Sequence, residues 1–217
     1  IDRGEEGEQP SSVQNRNITL FHKLAFEGQS AVHSNDTLVF ARNVCDTSRR
    51  YSAVWNGDTT STFAGLQYSI ISGLRSGLIN FPMWGSDTGG YYSGTPTEEL
   101  FARWFEFSAY APMMEILIGN SRTPWYNYST NLVAIARKQA TDHHDLLPYS
   151  RSYLYKATQT GLPLMRPLFL AYPGDTSVTN TWDEYLYGEK LLVAPVVTAG
   201  ATNRSVYLPA GDRKSTV

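Results

Sequence analysis

The stretch Tyr51-Ser-Ala-Val-Trp55-Asn56-Gly57-Asp58 reads as a short apolar strand that ends on an aromatic residue, a tight turn and one carboxylate. An Asn-Gly pair takes positive φ readily. The chain therefore turns sharply after Trp55 and presents Asp58 at the mouth of the strand rather than along it. Taken alone, an Asp so placed is most often a helix cap, and Thr59-Thr60-Ser61 behind it suits that role. The other carboxylates of the chain supply the alternative.

Upstream, residues 37–43 (Thr-Leu-Val-Phe-Ala-Arg-Asn) read as a buried strand, charged at its C-terminal end. Before it, residues 4–17 are polar and turn-rich and read as a loop, with Glu5, Glu6 and Glu8 near its start; residues 18–26 carry a short helical apolar face. Downstream, Phe63, Leu66, Ile70, Leu74 and Leu78 recur at spacings of three and four, which predicts a helix over 63–78. Residues 78–84 read as a further strand, followed by the glycine-rich loop Gly85-Ser-Asp87-Thr-Gly-Gly. Thr95-Pro96-Thr97-Glu98 predicts a capping box, with Thr95 at the cap, Pro96 first and Glu98 third. Leu100, Phe101, Trp104 and Phe105 give that helix its apolar face. Residues 132–156 hold one or two more helices, broken by Pro148, and after Gly161 residues 191–197 and 205–208 read as strands with no helix between them.

Strand and helix thus alternate over the first 160 or so residues and give way to β structure. This is an α/β pattern with parallel strands, either a βα barrel or a doubly wound sheet. In both, function gathers at the C-terminal ends of strands. Asp2, Arg42, Asp58 and Asp87 each stand just past the end of an apolar run, so one site can hold all four. The plainer reading is that polar residues begin wherever strands stop.

The 217 residues are 41% hydrophobic and 13% aromatic, enough for a sizeable core. A formal charge of -2 leaves no basic footprint and weighs against nucleic acid as a partner. No apolar run is long enough to span a membrane. The single cysteine, Cys45, excludes an internal disulfide. Sequons at Asn17, Asn35, Asn127 and Asn203 point to a secreted glycoprotein. His143-His144, between Asp142 and Asp145, lacks the i, i+4 spacing of a helical metal pair and reads as a solvated helix start, so neither a metal nor a cofactor is expected. Ile1-Asp2 reads as the end of a strand begun earlier. The chain is therefore expected to be a piece of a longer protein, and alone to be poorly folded and inactive.

Four ordered motifs are similar to those of family 31 of the glycoside hydrolases, and the match runs essentially from end to end. Ile1-Asp2-Arg3-Gly4-Glu5 resembles the family's nucleophile motif in its Asp-x-Gly-Glu form. Arg42 precedes Asp58 by sixteen residues, the spacing of the family's substrate-binding arginine. Trp55-Asn-Gly-Asp58 resembles the motif that ends in the general acid/base, and Gly85-Ser-Asp87-Thr-Gly-Gly the loop whose aspartate binds a sugar hydroxyl. Gly161-Leu-Pro-Leu-Met-Arg166-Pro-Leu and Gly188-Glu-Lys-Leu-Leu-Val-Ala-Pro195 resemble the passage into a C-terminal β domain.

The resemblance implies a (β/α)8 TIM barrel from about strand 4 onward over residues 1–164, followed by the start of a β-sandwich domain over 165–217. It implies a retaining glycosidase acting on terminal α-linked glucosides or xylosides, with Asp2 as nucleophile and Asp58 as acid/base. Such a pair of carboxyl groups stands about 5–5.5 Å apart. Arg42 would hold a sugar hydroxyl and favour ionised Asp2, with Trp55 as an apolar wall for Asp58. Asp87 and Glu5 join the binding set, and Trp84, Tyr91 and Tyr92 suit stacking on pyranose faces, or else packing in a core. A transglycosylase, an α-glucan lyase and a silent carbohydrate-binding relative share this pattern. Where the family carries a substrate-binding histidine this chain reads Met114-Glu115-Ile116-Leu117-Ile118, with Glu115 as the candidate replacement.

Overall fold

The structure, a computed structural model, describes residues 10–34, 36–116 and 123–210. Its first elements are α1 (Ser11–His33), β1 (Phe40–Ala41), β2 (Ala53–Trp55), α2 (Phe63–Leu78), β3 (Trp84–Gly85) and α3 (Glu98–Ser108). Then come α4 (Pro124–Asn127), α5 (Thr130–Asp145), α6 (Leu147–Thr160), β4 (Met165–Pro167), α7 (Leu168–Ala171), β5 (Tyr185–Tyr187) and β6 (Leu191–Val193).

β1, β2 and β3 are parallel neighbours, with Ala41 beside Val54, Val54 beside Trp84, and Trp55 beside Gly85. A fourth rung follows: Met113 N–H donates to the Trp84 carbonyl at 3.0 Å, and Asp87 bridges Glu115 in parallel. Partners across parallel strands project to one side, so Val54 and Trp84 share one face, Trp55 and Gly85 the other. The first face is covered by α2 and α3 through Leu66, Ile70, Leu74, Leu100, Trp104 and Phe107, all buried. The second carries the candidate site at its C-terminal edge.

The helix over 63–78 forms as its periodicity predicts. Its cap is Thr62, whose Oγ1 accepts from Gly65 N–H at 3.0 Å, so the cap reading of Asp58 fails. The strand expected over 78–84 shortens to two residues, because Leu78 ends α2 and Asn80, at φ +67°, turns the chain back. The strand over 37–43 likewise keeps only β1. The polar loop expected up to residue 17 is helical from Ser11, since nothing between Pro10 and Gly28 stops a helix.

α3 starts later than the capping-box reading, with Thr97 as its cap accepting from Leu100 N–H. Glu98 does not close a box. Its carboxylate accepts from Ser129 N–H at 2.7 Å and Ser129 Oγ at 2.9 Å, tying α3 to the start of α5. Pro148 lies in the first turn of α6, where its missing N–H costs nothing.

β4, β5 and β6 form an antiparallel sheet in that order, with α7 and a 3-10 turn at Thr176–Val178 between β4 and β5. Residues 205–208 are not a strand: Tyr207 N–H donates to the Glu184 carboxylate instead of to a ladder. The second sheet shares its core with the first part of the chain through Tyr185 and Tyr187. Tyr185 Oη donates to the Tyr110 carbonyl at 2.9 Å, and Tyr187 Oη lies 2.6 Å from Ser150 Oγ. Among the described residues no helix is long and apolar enough to cross a membrane.

Candidate active site

Asp58 follows β2 through a turn that only a few side chains permit. Gly57 sits at φ +71°, and a Cβ there would stand 3.3 Å from Arg42 Cδ, because the arginine stem crosses the turn. Asn56 Nδ2 fixes the turn from within, donating to Thr59 Oγ1 and Ser69 Oγ, each at 3.1 Å. Asp58 is left partly open to solvent, and Arg42 Nη1 donates to its Oδ1 at 3.1 Å. The Arg42 guanidinium thus meets Asp58, a contact that the expected role of favouring ionised Asp2 does not include. Asp2 and Glu5 lie outside the described residues, and the Asp2–Asp58 separation with them.

Trp55, half-buried, packs its ring against Phe40 with centroids 4.8 Å apart, on the face that leads to the site. Asp87 is buried in the loop after β3. That loop is held from three sides. Gly90 N–H donates to the Asp87 carbonyl at 2.8 Å, Thr88 N–H to the Glu115 carbonyl at 3.2 Å, and the Thr88 and Ser108 hydroxyls meet at 2.8 Å. Tyr91 N–H donates to the Thr59 carbonyl and Ser61 N–H to the Tyr92 carbonyl, at 2.7 and 2.8 Å. These two bonds stitch the Asp87 loop to the chain just beyond Asp58. Tyr91 and Tyr92 stay exposed at this edge.

Trp84 does not join them. It is 2% exposed, on the helix-facing side of β3, with its ring 6.2 Å from Phe107. Its alternation along the strand sends it into the core, so the expectation that it touches sugar is corrected. Trp84→Ala should lower stability by about 3–5 kcal/mol in a urea titration, without changing sugar affinity per folded molecule. A large affinity loss with unchanged stability would restore the sugar-binding role.

Glu115, read from sequence only as a stand-in for a histidine, is the residue whose importance the structure raises. It ends the fourth rung directly beside Asp87. Burial, and then the Asp87 charge, push its carboxyl up to about 8. The signal was present: Glu115 follows the apolar Pro112-Met-Met run as Asp58 and Asp87 follow theirs. His143 and His144 lie in the last turn of α5, not at a helix start. His143 Nδ1 is 3.1 Å from the Ala109 carbonyl, and His144 Nδ1 3.4 Å from Asp145 Oδ1. No three His, Cys, Asp or Glu side chains gather as metal ligands among the described residues.

Residues 2–153 match the TIM-barrel domain of glycosyl hydrolases family 31, and residues 161–214 the C-terminal domain of the same family. The chain is 33% identical over 189 residues to an isomaltosyltransferase of Sporosarcina globispora, covering 82% of this chain and 17% of that protein. It is 39% identical over 175 residues to a probable alpha-glucosidase of Oryza sativa, covering 80% of this chain and 20% of that protein. The cycloalternan-forming enzyme from Listeria monocytogenes, solved with a pentasaccharide substrate, superposes with a TM-score of 0.90 at 27% identity. That superposition covers 97% of this chain and 22% of the enzyme. The chain thus spans about a fifth of the length of the proteins it matches.

Proposed function

The chain belongs to family 31 of the glycoside hydrolases, and from that premise we propose that the protein containing it is a retaining α-glycosidase acting on terminal α-glucosides or α-xylosides. The observation that carries the reading is the order in space. Arg42, Asp58, Asp87 and Glu115 stand at the C-terminal ends of successive parallel rungs, where a βα barrel builds its site.

In the first step the Asp2 carboxylate attacks the anomeric carbon, the glycosidic C–O bond breaks, and the Asp58 proton passes to the departing oxygen. In the second, Asp58 takes a proton from water, whose oxygen displaces Asp2 and returns the sugar with its anomeric configuration retained. Arg42, paired with Asp58, is within reach of sugar oxygens at the same edge. Asp87 accepts from a sugar hydroxyl, a bond that strengthens as the ring gains oxocarbenium character. The likeness to an isomaltosyltransferase favours one variant of the second step, in which a sugar hydroxyl takes the place of water.

The test is a substrate panel on the full-length protein: p-nitrophenyl α-glucoside, α-xyloside and α-galactoside, with α-glucosyl fluoride to detect transfer or elimination. Release from the glucoside or xyloside, lost in both Asp2→Ala and Asp58→Ala, is the expected result. A folded protein that binds these sugars and cleaves none of them would sink the enzymatic reading in favour of a silent binder.

A further inference from the structure

Glu115 and Asp87 are direct partners across parallel strands, so both carboxyl groups project from the side of the sheet that carries Trp55 and Gly85. The Glu115 carboxyl folds back over Gly85. A Cβ added to Gly85 would stand 3.3 Å from Glu115 Oε1 and 3.1 Å from Met113 Cβ, so the missing side chain at Gly85 is the space the carboxyl occupies. Oε1 is fully enclosed and has no hydrogen-bond partner among the described residues.

A largely buried carboxylate beside a second carboxylate is a poor arrangement, since lost hydration and the neighbouring like charge both disfavour ionisation. A neutral carboxyl is a good one. It leaves a single negative charge on the pair and adds an O–H donor to a site whose other acid, Asp87, accepts. The upward push on the Glu115 carboxyl, from burial first and the Asp87 charge second, agrees with this. Among the described residues the titratable group bearing on Glu115 is Asp87, from the loop after β3; Gly85 and Met113, which line the same space, carry no charge.

We propose that Glu115 is a specificity-determining residue of the sugar pocket that works as a neutral carboxyl, donating its proton in a hydrogen bond to the same sugar hydroxyl that donates to Asp87. This rests on the carbohydrate reading above. A hydroxyl suits the pair because it can accept from Glu115 while donating to Asp87. A sugar lacking that hydroxyl leaves the Glu115 donor unmatched, and is rejected.

The experiment uses the full-length protein and its Glu115→Gln and Glu115→Leu variants. Affinity for glucose and for xylose is measured by titration calorimetry between about pH 6 and 9.5, with kcat and KM on the hydrolysed p-nitrophenyl glycoside. Glu115→Gln keeps a donor of the same shape. It should bind within about threefold of wild type at pH 6 and hold that affinity as pH rises, while wild type loses about tenfold above pH 8. Glu115→Leu should bind about tenfold or more weaker than wild type at pH 6, seen mainly in KM, and lose no more as pH rises, because it removes the donor without leaving a charge. An infrared band of a protonated carboxyl that fades above about pH 8 in wild type and is absent from Glu115→Gln supports the neutral state independently of any sugar.

If wild type and Glu115→Gln lose affinity in parallel as pH rises, or if Glu115→Leu binds as wild type does at pH 6, the role of Glu115 is overturned while the glycosidase reading stands. A protein that neither binds nor cleaves any panel sugar overturns the carbohydrate reading itself, and this proposal with it.

Discussion

Replacing Asp58 by Asn should lower kcat/KM on an α-glycoside with a poor leaving group by about 10²–10⁴-fold. The amide keeps the size of the side chain and one acceptor for Arg42, so the turn built on Asn56 and Gly57 has no cause to move. The Arg42–Asp58 pair is partly open to solvent, so its loss should cost less than about 1 kcal/mol of stability. What disappears is the transferable proton. The loss must therefore depend on the leaving group, being large for a sugar or alcohol and small for fluoride, which departs without protonation. Comparing the two substrates separates an acid from a residue that only binds. Normal hydrolysis of the poor-leaving-group substrate by Asp58→Asn would remove Asp58 from the chemistry, and an equal loss on both would make it a binding residue.

Gly90→Ala should cost about 2–3 kcal/mol of stability and about 10²-fold in kcat/KM. Gly90 sits at φ +82°, a backbone conformation that side chains resist. A Cβ there would also stand 2.8 Å from Ser61 N, Ser61 Cα and the Thr60 carbonyl oxygen. Those are backbone atoms and cannot swing aside as a flexible side chain would. The Asp87 loop and the Thr59–Ser61 segment must part, straining the Tyr91-to-Thr59 and Ser61-to-Tyr92 bonds that hold Asp87 and Asp58 in register. Gly94→Ala is the control. Gly94 also has positive φ, at +95°, but nothing stands within 4 Å of the added Cβ, so it should lose only about 1 kcal/mol and keep its rate. Urea midpoints and kcat/KM of the two variants decide it. If Gly90→Ala and Gly94→Ala behave alike, the close approach to Thr60 and Ser61 does not position the site.

Much of this arrangement is legible in the sequence because it is local. The Asn56-Gly57 turn follows from two residues that tolerate positive φ, and α2 from five apolar residues at helical spacing. The placing of Arg42, Asp58 and Asp87 at strand ends follows from each standing where an apolar run stops. Strand lengths are less legible. Leu78-Ile79 reads equally as a helix end or a strand start, and the chain chooses the helix because α2 is already propagating there. Glu98 is a capping-box residue by spacing alone. It becomes a clamp on Ser129 because α5 packs against α3 and brings the amide within reach.

By itself, the sequence determines the family, the alternation of strand and helix, and the order of the acidic residues along the chain. Tertiary structure alone decides that Trp84 turns into the core, that Arg42 meets Asp58, and that Glu115 lies folded over Gly85 against Asp87. The reason is physical. A turn or a helix is set by neighbours a few residues away. Which face a side chain takes, how much water it loses and which charge stands beside it are set by segments distant in sequence, which only packing brings together.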